Sequence, residues 1–268
     1  MGSKQSSMHF SNIEQLLHST VYVEVLDGDT RATGTAFFSE FKLPNARSVV
    51  VLVSCRHVFQ NAQTVRYWIP IADKGGLPSG RFADITIELD GKATLHPNPN
   101  IDLAGVVTHH VDDQPFLKGE KLFYRTLPES IIPSASEWTD IGVGDNVYVP
   151  GCPQGLFDEV EHTPFVRGGI ISNFPRDPSR PFFHIDIPTY DGSSGSPVIV
   201  DAHYSFNRGE GSYEIRNRFY LIGIVTDGLE VESEKGRADL HFGKAVKSDR
   251  LRELHSAILH EAQNSGIG

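Results

Sequence analysis

The chain has 268 residues, 39% of them apolar, and carries 24 lysines and arginines against 34 aspartates and glutamates, a net charge of −10. That length and apolar share provide for a buried core without a metal or disulfide, and they exclude intrinsic disorder for the bulk of the chain. A net-acidic protein gains nothing from counterion release, so nucleic acid and anionic membranes are excluded as default partners.

At the start of the chain, Met1–Ser7 lacks the charged, apolar and cleavage segments of a secretory signal. Met1-Gly2-Ser3-Lys4-Gln5-Ser6 matches the loose myristoylation pattern, but so few positions are specified that chance or a cloning remnant explains the match better. A short helix is expected over Ile13–His18. Strands rich in Val, Ile, Phe, Tyr and Thr follow, punctuated by Gly, Pro, Asn and Asp: Val21–Leu26, Thr33–Phe38, Val49–Ser54, Val65–Ile71, Ile85–Leu89 and Leu103–Val107. His109–Asp140 contains three prolines and little periodicity, as a crossover between two units would. A second group of strands is expected at Asn146–Val149, Phe165–Ile171, Phe182–Ile187, Pro197–Val200, Phe219–Val225 and Gly243–Val246. Leu251, Leu254, Ile258 and Leu259 then recur at helical spacing behind Ser248 or Asp249 as cap. Asp73–Arg81 and Asn207–Ser212 read as surface loops. No apolar run approaches the roughly 18 residues that a bilayer crossing needs. Two cysteines, Cys55 and Cys152, are too few for a disulfide framework and imply buried thiols in a reducing, cytoplasmic compartment.

Three stretches carry chemistry. Val53-Ser54-Cys55-Arg56-His57-Val58 follows an apolar strand, Pro99-Asn100-Ile101-Asp102-Leu103-Ala104 opens another, and Tyr190-Asp191-Gly192-Ser193-Ser194-Gly195-Ser196-Pro197 precedes a third. Acyl transfer needs a hydroxyl nucleophile, an imidazole to carry its proton and a carboxylate to orient that imidazole. It also needs backbone N–H groups facing the developing oxyanion, which a Gly-x-Ser-Gly turn supplies, here through Gly192 and Ser194. His57 precedes Asp102 by 45 residues and Ser194 follows Asp102 by 92. Each piece alone is weak. Their order separates this arrangement from subtilisins and α/β-hydrolases.

With these residues in view, the chain resembles the chymotrypsin/trypsin-like serine peptidases, nearest the bacterial and HtrA-like branch. Gly34-Thr35-Ala36-Phe37 resembles the strand before the histidine, and Gly144–Pro153 the opening of the second barrel. Phe165–Ser172 resembles the strand after it, and Gly223-Ile224-Val225-Thr226-Asp227-Gly228 the strand along the substrate cleft. The likeness runs from Val21 to Gln263. It implies an all-β fold of two antiparallel six-stranded barrels with a C-terminal helix. The implied division is an N-terminal segment over residues 1–19, a first barrel over 20–110 and a crossover over 111–140. A second barrel then spans 141–247, and a helix and tail 248–268. The resemblance also implies a serine endopeptidase with Ser194 as nucleophile, His57 as base and acid, and Asp102 as orienter. Thr226, Asp227 and Gly228 would pair with the backbone of a protein or peptide substrate. No cofactor and no metal are implied.

The departures are informative. Ser193 stands where trypsin-like zymogens carry the aspartate that pairs with a freed N-terminus, so that activation route is not expected. Pro188 stands where trypsin has the acid at the base of its specificity pocket, so a strong Arg or Lys preference is not expected. Asp227 replaces an aromatic residue and favours a basic side chain elsewhere in the substrate. An uninhibited intracellular protease needs restraint through narrow specificity, a disordered pocket or a regulatory partner protein. Cys152 follows Asp102 by only 50 residues, too early for a nucleophile of this fold. The histidines, His109, His110, His255 and His260 among them, do not cluster at metal-ligand spacing. The rival from another class is a catalytically silent or partner-gated peptide-binding protein on a protease fold.

Overall fold

The computed structural model describes residues 10–264 apart from 29, 44–47, 90–92, 109–116, 174, 178, 208–211 and 234–235. Met1–Ser6, His109, His110 and the start of the expected crossover lie outside the described residues.

Helix α1, Asn12–Leu17, opens with a capping box in which Ser11 and Glu14 bond each other's backbone N–H. The first sheet combines β1 (Thr20–Asp27), β2 (Thr30–Lys42), β3 (Ser48–Ser54), β4 (Thr64–Ala72), β5 (Pro78–Glu88), β6 (Thr94–Leu95), β7 (Ala104–Val107) and β8 (Leu127–Pro128). Its order is β5-β4-β1-β2-β3-β7-β6, antiparallel throughout, with β8 adding a short parallel pairing to β2. A four-residue helix, α2, Arg56–Phe59, follows β3 directly. The second sheet contains β9 (Asn146–Gly151), β10 (Phe165–Ile170), β11 (Phe182–Ile185), β12 (Pro197–Asn207), β13 (Ser212–Ser233) and β14 (Gly236–Lys247), in the order β10-β9-β12-β13-β14-β11. One bridge, Ile171 to Ile185, joins its two edge strands. Helix α3, Arg250–Asn264, ends the described chain.

All twelve expected strands are present, as are both terminal helices. The expectation of two six-stranded barrels needs correction: the first sheet has eight strands, and the named strands of each sheet form an open path. β6 and β8 are two residues long, below the length at which alternation can be read. Asp73–Arg81, expected as a loop, already contains the start of β5.

Burial explains the arrangement. On β2, Ala36 and Phe38 face a core with Val23, Leu52 and Tyr67, while Phe37 and Phe41 face a second core. That second core joins Val51, Val53 and Leu103 of the first half to Ile199, Leu221 and Ile224 of the second sheet and to Leu251, Leu254 and Ile258 of α3. A strand buried on both faces has to be apolar continuously, as Ala36-Phe37-Phe38 is. The third core lies within the second sheet around Val149, Phe183 and Ile222. Thus α3 and the back of β2 lock the two sheets together, and the segments bearing His57 and Ser194 both bond the same part of β13. Among the described residues no helix is long and apolar enough to cross a membrane.

Candidate active site

Helix α2 begins immediately after β3 and presents His57 in its first turn. Asp102 sits against the start of that helix: its Oδ1 accepts the His57 N–H at 3.0 Å and its Oδ2 lies 2.7 Å from His57 Nδ1. Unpaired N–H groups at a helix start attract a carboxylate, which adds to the pull of the imidazole. Arg56 braces the same unit from outside, its guanidinium donating to the His96 and Asn98 carbonyls of the loop that leads to Asp102. The hydrogen bond to Asp102 holds the His57 imidazole above its ordinary pKa of 6.5 against the opposing effect of burial, with Asp102 and Asp227 charges adding to the rise. Burial pushes the Asp102 carboxyl up, but the His57 hydrogen bond and charge and the Arg56 and His57 N–H groups outweigh it, so it stays below 3.8.

Ser194 lies in the turn before β12. The same short piece of β13 receives the His57 and Ser194 segments: Cys55 Sγ donates to Val225 O at 3.2 Å, Gly195 N–H to Val225 O at 2.8 Å, and Ser194 Oγ to Thr226 O at 3.2 Å. The turn is pressed against β2, where Thr35 N–H donates to Ser194 O at 3.0 Å. Gly195 has φ +91, and a Cβ there would fall 1.9 Å from Thr35 O, so only glycine fits. Among the described residues no hydrogen bond joins the Ser194 hydroxyl to His57; it is turned to Thr226.

The N–H groups expected to face an oxyanion, those of Gly192 and Ser194, have no acceptor among the described residues. The reason is visible in the carbonyls. Asp191 O accepts Gln154 N–H at 2.5 Å and Ser193 O accepts Ser196 N–H at 3.1 Å. A trans peptide points its N–H opposite its carbonyl, so both N–H groups are directed away from these anchors. Ser193 forms no ion pair; its N–H donates to Tyr190 O and its hydroxyl accepts Tyr190 N–H, closing a local turn.

A cavity of about 270 Å³ opens beside Ser194, lined by Gln154, Thr189, Tyr190, Asp191, Ser193, Val225, Asp227 and Gly228. Of the expected substrate-pairing residues, Asp227 and Gly228 border it and Thr226 does not. Asp227 and Gly228 pair with β14, while β12 pairs β13 only as far as Ile224, so the other edge of Thr226–Gly228 is not covered by that strand. Gly228 N–H is held by Asp227 Oδ1 at 2.8 Å. Pro188 does not line the cavity, contrary to expectation; its carbonyl accepts the Arg167 guanidinium instead. Thr189 lines it, packed between Gly228 and Gly243.

Cys55, His57 and Asp102 place potential ligand atoms within 4.8 Å of one another. They fit a metal poorly. Burial and the Asp102 charge push the Cys55 thiol well above 9, and Asp102 is already committed to the imidazole. Both cysteines are free and buried, as expected. Sequence reasoning did not single out Thr35, Gln154, Cys55 or Arg56 as parts of the site. Thr35 lies in the Gly34-Thr35-Ala36-Phe37 stretch, and Cys55 and Arg56 in Val53–Val58 beside His57.

The model of the trypsin-like peptidase domain matches residues 34–204. An HtrA-type protease, AlgW, solved with a tripeptide, is 19% identical with a TM-score of 0.52, over 93% of this chain and 63% of that one. The serine endoprotease from Yersinia pestis is 18% identical with a TM-score of 0.50, over 92% of this chain and 65% of that one. The chain thus spans just under two thirds of the length of these solved structures. A comparison with curated proteins finds no match.

Proposed function

Because the chain belongs to the trypsin-like peptidase family, we propose that it is a serine endopeptidase acting on protein or peptide substrates through His57, Asp102 and Ser194. The observation that carries this reading is the 2.7 Å His57–Asp102 pair, borne on a segment whose Cys55 bonds Val225 O while Ser194 bonds the adjacent Thr226 O. In this reading Ser194 Oγ attacks the peptide carbonyl and His57 Nε2 takes its proton, with Asp102 holding the Nδ1–H tautomer. The negative charge on the former carbonyl oxygen is met by the Gly192 and Ser194 N–H groups. The C–N bond then breaks as His57 returns the proton to the leaving amine. Water attacks the acyl-serine by the reverse proton path and releases the acid. Before the first step the Ser194 side chain rotates from Thr226 O toward His57, a turn about one bond; such bonds are often loose until substrate binds. Support for a peptide substrate comes from the similar HtrA-type protease solved with a tripeptide.

The raised His57 pKa, caused mainly by Asp102, suits a base that must accept a proton readily. Asp227 and Asp191 at the cavity, with no Lys, Arg or His among the described residues that line it, favour substrates with basic side chains near the scissile bond. In the same reading residues 20–110 and 141–247 are the two halves that supply His57 with Asp102 and Ser194 respectively.

Labelling with a fluorophosphonate tests the proposal. The wild type should be modified once, at Ser194, and both Ser194→Ala and His57→Ala should abolish labelling and casein hydrolysis while unfolding as the wild type does. A second reading, a silent or partner-gated peptide-binding protein, is favoured by one observation, the Ser194 hydroxyl bonded to Thr226 O. No labelling of a folded wild type under any condition would select it.

A further inference from the structure

Gly192 is the residue with most freedom in the oxyanion turn, and the structure removes that freedom with two hydrogen bonds. It has φ +84 and no side chain of its own to hold it. The carbonyl before it, Asp191 O, is held by Gln154 N–H. The carbonyl after it, Gly192 O, accepts the Thr35 hydroxyl at 2.7 Å. That hydroxyl in turn accepts Cys152 N–H at 2.9 Å, just ahead of the Pro153–Gly155 turn that carries Gln154. Thr35 is fully buried, and its carbonyl is fastened by Ser54 Oγ at 2.7 Å. A single hydroxyl on the first sheet therefore supplies one anchor of Gly192 directly and bonds the start of the turn that supplies the other.

Resting on the serine peptidase reading above, we propose that Thr35 is a positioning residue that keeps the Gly192 N–H aimed at the oxyanion. It touches neither substrate nor Ser194 Oγ; it acts through the Gly192 peptide. Without the hydroxyl, Gly192 O and Cys152 N–H lose their partner inside the protein. Glycine, with no Cβ, then resists rotation of the Gly192–Ser193 peptide plane less than any other residue would. A turned Gly192 peptide withdraws one donor from the site, so the transition state suffers more than the ground state.

The test compares Thr35→Val, which keeps the shape, with Thr35→Ser, which keeps the hydroxyl. Thr35→Val should lower kcat by on the order of 10²-fold, the usual effect of losing one oxyanion donor, with KM within about threefold. Affinity for a peptide boronate, which needs the same donors, should fall in parallel with kcat. The ascending limb of the pH profile should stay in place, because His57 and Asp102 are untouched. Thr35→Ser should restore kcat to within about threefold of the wild type, a result that a space-filling role would not require. Should Thr35→Val not fold, Thr35→Cys keeps the volume with a weaker hydrogen bonder and should show the same loss in smaller measure. Thr35→Val with unchanged kcat and boronate affinity, or Thr35→Ser as impaired as Thr35→Val, would overturn the role. If the wild type neither labels nor hydrolyses, the peptidase reading itself fails. A crystal structure of Thr35→Val then decides the point, since an unmoved Gly192 carbonyl would refute the anchoring.

Discussion

Replacing Gly195 by alanine tests whether the nucleophile turn really lies backbone to backbone against the first sheet. The added Cβ would sit 1.9 Å from Thr35 O and 2.3 Å from Ser54 Oγ. Neither atom can retreat easily: they bond each other at 2.7 Å, and Thr35 is held in β2 opposite Tyr22 of β1. Left-handed backbone with a Cβ costs about 1–2 kcal/mol, and forcing atoms into a filled interior adds about 1–3 kcal/mol. The expected loss is therefore about 2–5 kcal/mol, a large part of an ordinary domain's stability. Gly76 is the control. Its φ is +76 and a Cβ there meets nothing within 4 Å, so Gly76→Ala should carry only the backbone cost of about 1–2 kcal/mol. Urea unfolding of the two variants beside the wild type reads the difference, and fluorophosphonate labelling of Ser194 should fall steeply in Gly195→Ala alone. Equal destabilisation of the two variants, with labelling intact in both, would refute the close approach.

The pH dependence of kcat/KM should follow His57. Its protonated form cannot accept the Ser194 proton, so activity should rise with pH through a midpoint above 6.5, the direction set by the Asp102 hydrogen bond. Asp102→Asn should lower both that midpoint and the rate; an ascending limb centred below 6.5 in the wild type would contradict the reading. Burial pushes the Cys152 thiol up to about 12 and Cys55 well above 9. Iodoacetamide at pH 8 should therefore modify neither until denaturant is added, as mass spectrometry would show. Leu254 is fully buried between α3 and both sheets, so Leu254→Ala should cost about 2–5 kcal/mol by chemical denaturation while leaving the rate per folded molecule unchanged.

Much of the fold was legible because its strands carry their own signal. Val49–Ser54 and Asn146–Val149 are bounded by turn residues and rich in β-branched side chains, and both fall inside observed strands. The two-residue β6 and β8 were not legible, since their pairing to β7 and β2 comes from neighbours distant in sequence. Helix α2 was missed for a related reason: four residues hold too little periodicity, and the Asp102 carboxylate that receives its first N–H groups lies 45 residues away. The resemblance to trypsin puts Pro188 at the base of the pocket, but it does not line the cavity. Thr189 lines it instead, packed between Gly228 and Gly243.

The sequence by itself determined the chemical inventory: which imidazole, carboxylate and hydroxyl stand in the order of an acyl-transfer site, and which glycines flank the serine. Covalent order and local conformational preference are properties of the chain and need no partner. Only the tertiary structure decided how that inventory is held. It put Asp102 at the start of α2, turned Ser194 toward Thr226, and let the hydroxyl of Thr35 reach Gly192 from another sheet, 157 residues away. Contacts of that kind arise when separate surfaces are buried against one another, and no local pattern along the chain encodes them.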